Sequence, residues 1–327
     1  MPRVIPHSFD APVIWAGFVG EAACFALGDG TVRLERDGAS TTVVAHDGAI
    51  LTAALLPKGQ ALLTAGDDGR VVEVRADGTS IERARQKGKW IDQLAVAPDG
   101  TIAYASGRSV WVVLAPGKEK LLAHERAVNG LAFAPKGLRL ATATYDMARL
   151  FYPGTEGKPT DLAWKGSHIG VVFSPDGRYV VSTMQEMALH GWRMADAKHM
   201  RMTGYPAKVR SFEWTVGGKW LATSGAAGAI LWPFTGKDGP MGQAPKELAI
   251  YSRLSTRVAA HPSEDVVATG FEDGLILASR IEDQADVVLR KAEAGAPITA
   301  MAWDAPGIRL AFGAQDGAAG VVDLSKS

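Results

Sequence analysis

The chain has 327 residues and carries 35 Lys and Arg against 35 Asp and Glu, so its net charge is zero. That balance leaves no global field of the kind a dedicated nucleic-acid or anionic-membrane binder uses. The one cysteine, Cys24 in AACFAL, excludes an intramolecular disulfide, and no apolar run is long enough for a bilayer span or for a signal peptide at MPRVIPHSFDAPV.

With 47% apolar residues a large core can be buried, and the expected compartment is the cytoplasm. The predicted elements follow one pattern, repeated about every forty residues. It reads as an apolar strand (a), a Pro-x-Gly turn, a second strand (b), a turn carrying Asp, and a third strand (c). The first copy, VIWAGFVGEAACFALGDGTVRLE from Val13, is degenerate. Further copies start at Ile50, Ile91, Val128, Ile169, Val209, Thr256 and Ile298. Between c of one copy and a of the next lies a more polar run suited to an outer strand (d): Thr41–Ala45, Lys120–Ala123, Thr160–Trp164, Glu247–Tyr251 and Asp286–Arg290.

Stacked four-stranded units at this period predict propeller blades within one domain, residues 1–327. Eight copies predict an all-β, eight-bladed β-propeller of four-stranded antiparallel blades. The last copy has no d strand of its own, so the N-terminal run Arg3–Ile5 is expected to pair with its c strand and close the ring. Seven blades, with the weak first copy folded otherwise, is the alternative.

His46 and His124 each stand eleven residues before a turn proline, Pro57 or Pro135, and twenty-two before a turn aspartate, Asp68 or Asp146. With Thr64 and Thr142 or Thr144 as hydroxyl partners, this double spacing resembles the WD-repeat family over essentially the whole chain. The resemblance implies structural roles for His46, Asp68, His124 and Asp146. It also implies that partners dock on the face where d–a and b–c loops gather. The family's Trp is replaced by Val74 in one copy and by Phe151 or Tyr152 in the other, so this is a divergent member.

On that loop face the sequence places Asp67, Trp90, Arg126, Tyr145, Gln185, Arg253, Glu272 and Gln315, with Tyr145 as the best single anchor. Aligning the a strands on their turn prolines sends small residues and a few polar ones, Gln93, Ser211, Glu213, Arg257 and His261, toward a central channel. Glu213 and Arg257 are expected to meet across the channel wall. Methionine and histidine gather between Met184 and Met202, a composition that suits packing or partner contact better than Cu(I). GTEGKPT at 154–160 lacks the spacing of a phosphate loop, and no nucleophile elbow or paired-His zinc helix is present.

The functional expectation is a non-catalytic scaffold or adaptor with no cofactor and no bound metal. It would present its loop face to a protein or peptide, alone or within a larger complex, with nucleic acid a minor alternative. The competing reading is a channel-based sensor of a small ligand or metal, or a lactonase-like hydrolase.

Overall fold

The computed structural model describes residues 2–115, 118–292 and 295–325. Among them every regular element is a strand, apart from two single 3-10 turns at Pro57–Gly59 and Val216–Gly218. The middle strands are apolar on both faces because sheets cover them on each side. Ala22–Leu27, Ala61–Gly66 and Tyr179–Met184 are buried along their whole length. Outer strands keep one wet face, as in Ser80–Arg85, where only Ala84 is buried.

These strands make seven antiparallel sheets, six of four strands and one of six. The expectation of eight separate four-stranded blades is therefore corrected to seven. The degenerate first copy is not the cause, since Val13–Val19, Ala22–Leu27, Thr31–Arg36 and Ala39–Val44 form a full sheet. The merger lies between the fourth and fifth copies. There the runs expected as a d strand and a separate a strand are one continuous strand, Thr160–Phe173. Its first half pairs with Leu140–Phe151 and its second half with Tyr179–Met184. No proline interrupts it, and two carboxylates bond its middle, where Gly166 has φ +129°. Asp146 accepts from the Gly166 N–H at 3.0 Å, and Glu186 from the Ser167 N–H at 2.9 Å.

The chain forms two compact units. The first comprises residues 1–50, 74–80 and 209–327. Its core lies between neighbouring sheets, with Val13, Phe18 and Phe25 packed with Ala300, Ala311 and Val321. Arg3–Ser8 pairs antiparallel with Ala318–Asp323, Arg3 opposite Asp323, and supplies the fourth strand of the last sheet. The Phe9 N–H then reaches the Gly317 carbonyl at 3.0 Å. Gly317 has φ +88°, and a methyl group there would sit 2.0 Å from the Phe9 carbonyl oxygen, so only glycine fits.

The second unit comprises residues 51–73 and 81–208. It too buries apolar layers between sheets: Leu63, Val71, Ile91, Ile102 and Tyr104 form one, and Ala141, Leu150, Phe173, Val180 and Trp192 another. A Cβ on Gly130 would lie 2.9 Å from the Gly170 Cα, so the first strands of neighbouring copies approach too closely for any larger residue.

Candidate functional site

In several copies the segment that leaves the outer strand folds over the b–c turn, which gathers both loops at one end of the sheet. The Val128 N–H bonds the Gly107 carbonyl at 2.8 Å, Ile91 bonds Gly66 at 3.0 Å, and Ser255 bonds Ala226 at 2.8 Å. In the second unit this end carries exposed anchors. Trp90 is 70% exposed and Tyr145 is 46% exposed. The Arg126 guanidinium lies 6.0 Å from the centroid of the Tyr145 ring, within reach of a cation–π contact. Gln185 is exposed and Asp67 half-buried. In the first unit Arg253 and Gln315 are exposed, while Glu272 is half-buried with its N–H on the Leu254 carbonyl at 3.1 Å.

The polar residues beneath these loops hold the turns. His124 is buried, with Nε2 3.0 Å from Thr142 Oγ1 and Nδ1 3.0 Å from the Leu122 carbonyl. Burial lowers its pKa from the ordinary histidine value. Asp146, at φ +67°, spends an oxygen on the Gly166 N–H, and Asp68 accepts from the Arg70 N–H at 3.0 Å. His46 is buried with its N–H on the Gly30 carbonyl at 3.1 Å.

A further histidine network escaped the sequence reading. His168 Nδ1 lies 2.7 Å from Ser182 Oγ and Nε2 lies 2.9 Å from the Trp164 carbonyl, with Trp192 beside the ring at 5.7 Å. This is the His, hydroxyl and Trp combination that the fourth copy lacks. His168 stands seven residues before its turn proline, Pro175, so a search at eleven misses it. The Met/His segment is a packed stack. Fully buried His190 lies on Trp164 at 3.8 Å with His199 at 5.4 Å, and burial lowers the His190 pKa to about 3.

The polar residues expected along a channel are mostly bridges between sheets. Ser211 Oγ accepts from the Val258 N–H at 3.1 Å, and Gln93 stands half-buried opposite Ala105. His261 is corrected from a channel residue to a turn lock. Its Nδ1 accepts from the Glu264 N–H at 2.9 Å and Nε2 lies 2.8 Å from the Gly307 carbonyl, so neither nitrogen is open to a ligand. The expected pairing of Glu213 with Arg257 does not form either. Glu213 accepts from the Ala260 N–H at 3.2 Å, while Arg257 binds backbone carbonyls. The Glu213 side chain is exposed to solvent, although protein surrounds it on most sides. Dehydration raises its carboxyl to about 7.

Among the described residues no group of three or more His, Cys, Asp or Glu is placed to hold a metal ion. No helix there is long and apolar enough to cross a membrane.

Two family profiles match parts of the chain: the WD40 domain of anaphase-promoting complex subunit 4 over residues 259–327, and the WD domain, G-beta repeat, over residues 118–148. A search by sequence found no match among curated proteins. By structure, the chain is similar to the computationally designed Ika8 protein, with TM-score 0.77 and 18% identity over 97% of this chain and 98% of that one. The RRP9 WD40 repeats give 0.64 and 14%, over 85% and 95%. U3-55K gives 0.63 and 15%, over 85% and 96%. WD-repeat profiles thus match two stretches of the chain, and its fold is that of a β-propeller. The His124 and His168 networks sit in the second unit, and one of the two profile matches ends at Ala148, beside the exposed Tyr145.

Proposed function

We propose that this protein is a non-catalytic WD-repeat scaffold that presents its loop ends to a protein or peptide partner. The fold is commonly a protein-interaction platform, and WD-repeat propellers are generally non-enzymatic. The observation that carries the reading is the loop end of the second unit. There Trp90 and Tyr145 stand exposed and Arg126 lies against the Tyr145 ring. Trp, Tyr and Arg are the residue types that dominate interface energetics. Asp67 and Gln185 supply polar groups at the same kind of loop. In the first unit Arg253, Glu272 and Gln315 form the corresponding set. The buried, unpaired Cys24 suits a reducing compartment such as the cytoplasm.

Affinity purification from the native cell, followed by binding measurements on the recovered partner, tests this. Tyr145→Ala with Arg126→Ala, and separately Trp90→Ala, should weaken binding at least about tenfold with an unchanged melting temperature. Full binding by all these variants would overturn the reading.

A further inference from the structure

Arg257 lies on the first strand of the seventh copy, Ser255–Ala260, and is half-buried. Its guanidinium is held by the protein, yet nothing neutralises it. Nε donates to the Thr299 carbonyl, and Nη1 donates to the carbonyls of Thr256 at 3.2 Å and Arg210 at 3.4 Å. These carbonyls fix the plane of the group but carry no net charge. Of the five guanidinium N–H donors three are used, and the pair on Nη2 meets no acceptor among the described residues. No carboxylate among those residues is within ion-pair distance.

A second cation stands beside it. The Val258 N–H and carbonyl clasp Ser211 Oγ at 3.1 and 3.3 Å, which brings Arg210 alongside Arg257. Arg210 is exposed, its guanidinium makes no hydrogen bond or ion pair among the described residues, and its charge repels that of Arg257. The acid on the same inner strand, Glu213, is tied to the Ala260 N–H instead. Holding one partly dehydrated cation beside another is costly unless an anion is also bound.

We propose that the free Nη2 edge of Arg257 and the Arg210 guanidinium together bind a compact oxyanion of the phosphate class, either the free ion or a small phosphate monoester. The two remaining N–H bonds diverge from one nitrogen whose plane is fixed by the three carbonyl contacts, so they can donate to two oxygens of a bound anion. Arg210, which is unconstrained, closes on a third oxygen. Glu213 has its pKa raised to about 7 by dehydration, so at neutral pH it is in part protonated and repels the ligand only weakly. This site shares no residue with the scaffold reading and stands independently of it.

The test is titration of the purified full chain with inorganic phosphate and with glycerol 3-phosphate at low ionic strength, followed by calorimetry and 31P NMR line width. Saturable binding is expected, with Arg257→Lys weakening it about tenfold or more because an ammonium cannot hold the carbonyls and the anion together. Arg210→Gln should weaken it severalfold without changing the melting temperature. Tighter binding of the monoester would assign the site to a phosphorylated small molecule, and equal binding to the free ion. Absence of saturable binding would overturn the proposal, as would wild-type binding by Arg210→Gln and Arg257→Lys. If Arg257→Lys does not fold, Arg210→Gln decides, since that side chain holds no part of the fold.

Discussion

The two compact units tie their strands together with different side chains. In the first, hydroxyls on inner strands reach the backbone of the next sheet. Ser211 bridges to Val258, Thr256 Oγ1 donates to the Ile298 carbonyl at 2.8 Å, and Thr299 Oγ1 donates to the Val13 carbonyl at 2.6 Å. In the second, imidazoles pair with hydroxyls beneath aromatic rings, at His124 with Thr142 and at His168 with Ser182 and Trp192. A hydroxyl bridge buries little, carries no titratable group and is replaceable. An imidazole network fixes a large aromatic as well, and makes its part of the fold sensitive to acid.

Core truncation should expose that contrast most strongly. Trp192 is 2% exposed within the apolar layer of the fourth and fifth copies, and Trp192→Ala should cost about 3–5 kcal/mol by urea denaturation. Next comes His168→Ala, which leaves Ser182 Oγ and the Trp164 carbonyl without their ring partner and should cost about 2 kcal/mol. Thr299→Val should cost about 1 kcal/mol, since one hydroxyl and two carbonyl contacts are lost from a strand whose ladder is intact. Equal losses for Thr299→Val and His168→Ala would dissolve the distinction.

The pH dependence separates the units by sign. His190 is neutral in the fold, with its pKa lowered to about 3 from an ordinary 6.5. As pH falls from about 6.5 towards 3 the unfolded chain takes up a proton that the fold refuses, so stability is lost with acid. His190→Phe should flatten that limb in denaturation midpoints measured across pH. Glu213 acts in the opposite sense. Its carboxyl is raised to about 7 from 4.5, so its contribution is complete at low pH and is lost as pH rises from about 4.5 through 7. Glu213→Gln should remove this smaller slope while leaving the acid limb in place.

The strands were legible because their apolar, β-branched runs alternate with Gly, Pro and Asp turns. Asp286–Arg290 was placed to the residue, and the N-terminal run was matched to its partner strand. The sheet count was not legible. A residue pattern marks where runs end, but Gly166 and Ser167 are held by carboxylates from Asp146 and Glu186, and those contacts are made across turns rather than along the chain. The His168 network was missed for a related reason. Its histidine projects from the middle of that continuous strand, at a different distance from its turn. The loop anchors Trp90 and Tyr145 were readable because exposure at a turn is a local property. Whether Arg257 would meet Glu213 was not, because either group had many backbone partners within reach and the sequence ranks none of them.

The pairing of Arg3–Ser8 with Ala318–Asp323 also has a bearing on synthesis. Arg3 and Asp323 are partners separated by 320 positions, so the segment made first waits through the synthesis of all the residues between them for its mate. During that interval Val4 and Ile5 are available to any passing strand, and the last sheet is a three-stranded piece with an open margin. Nascent chains stalled before Ala318 should therefore bind holdase chaperones through their first residues, and should release them once the final turn at Gly317 emerges and captures the Phe9 N–H.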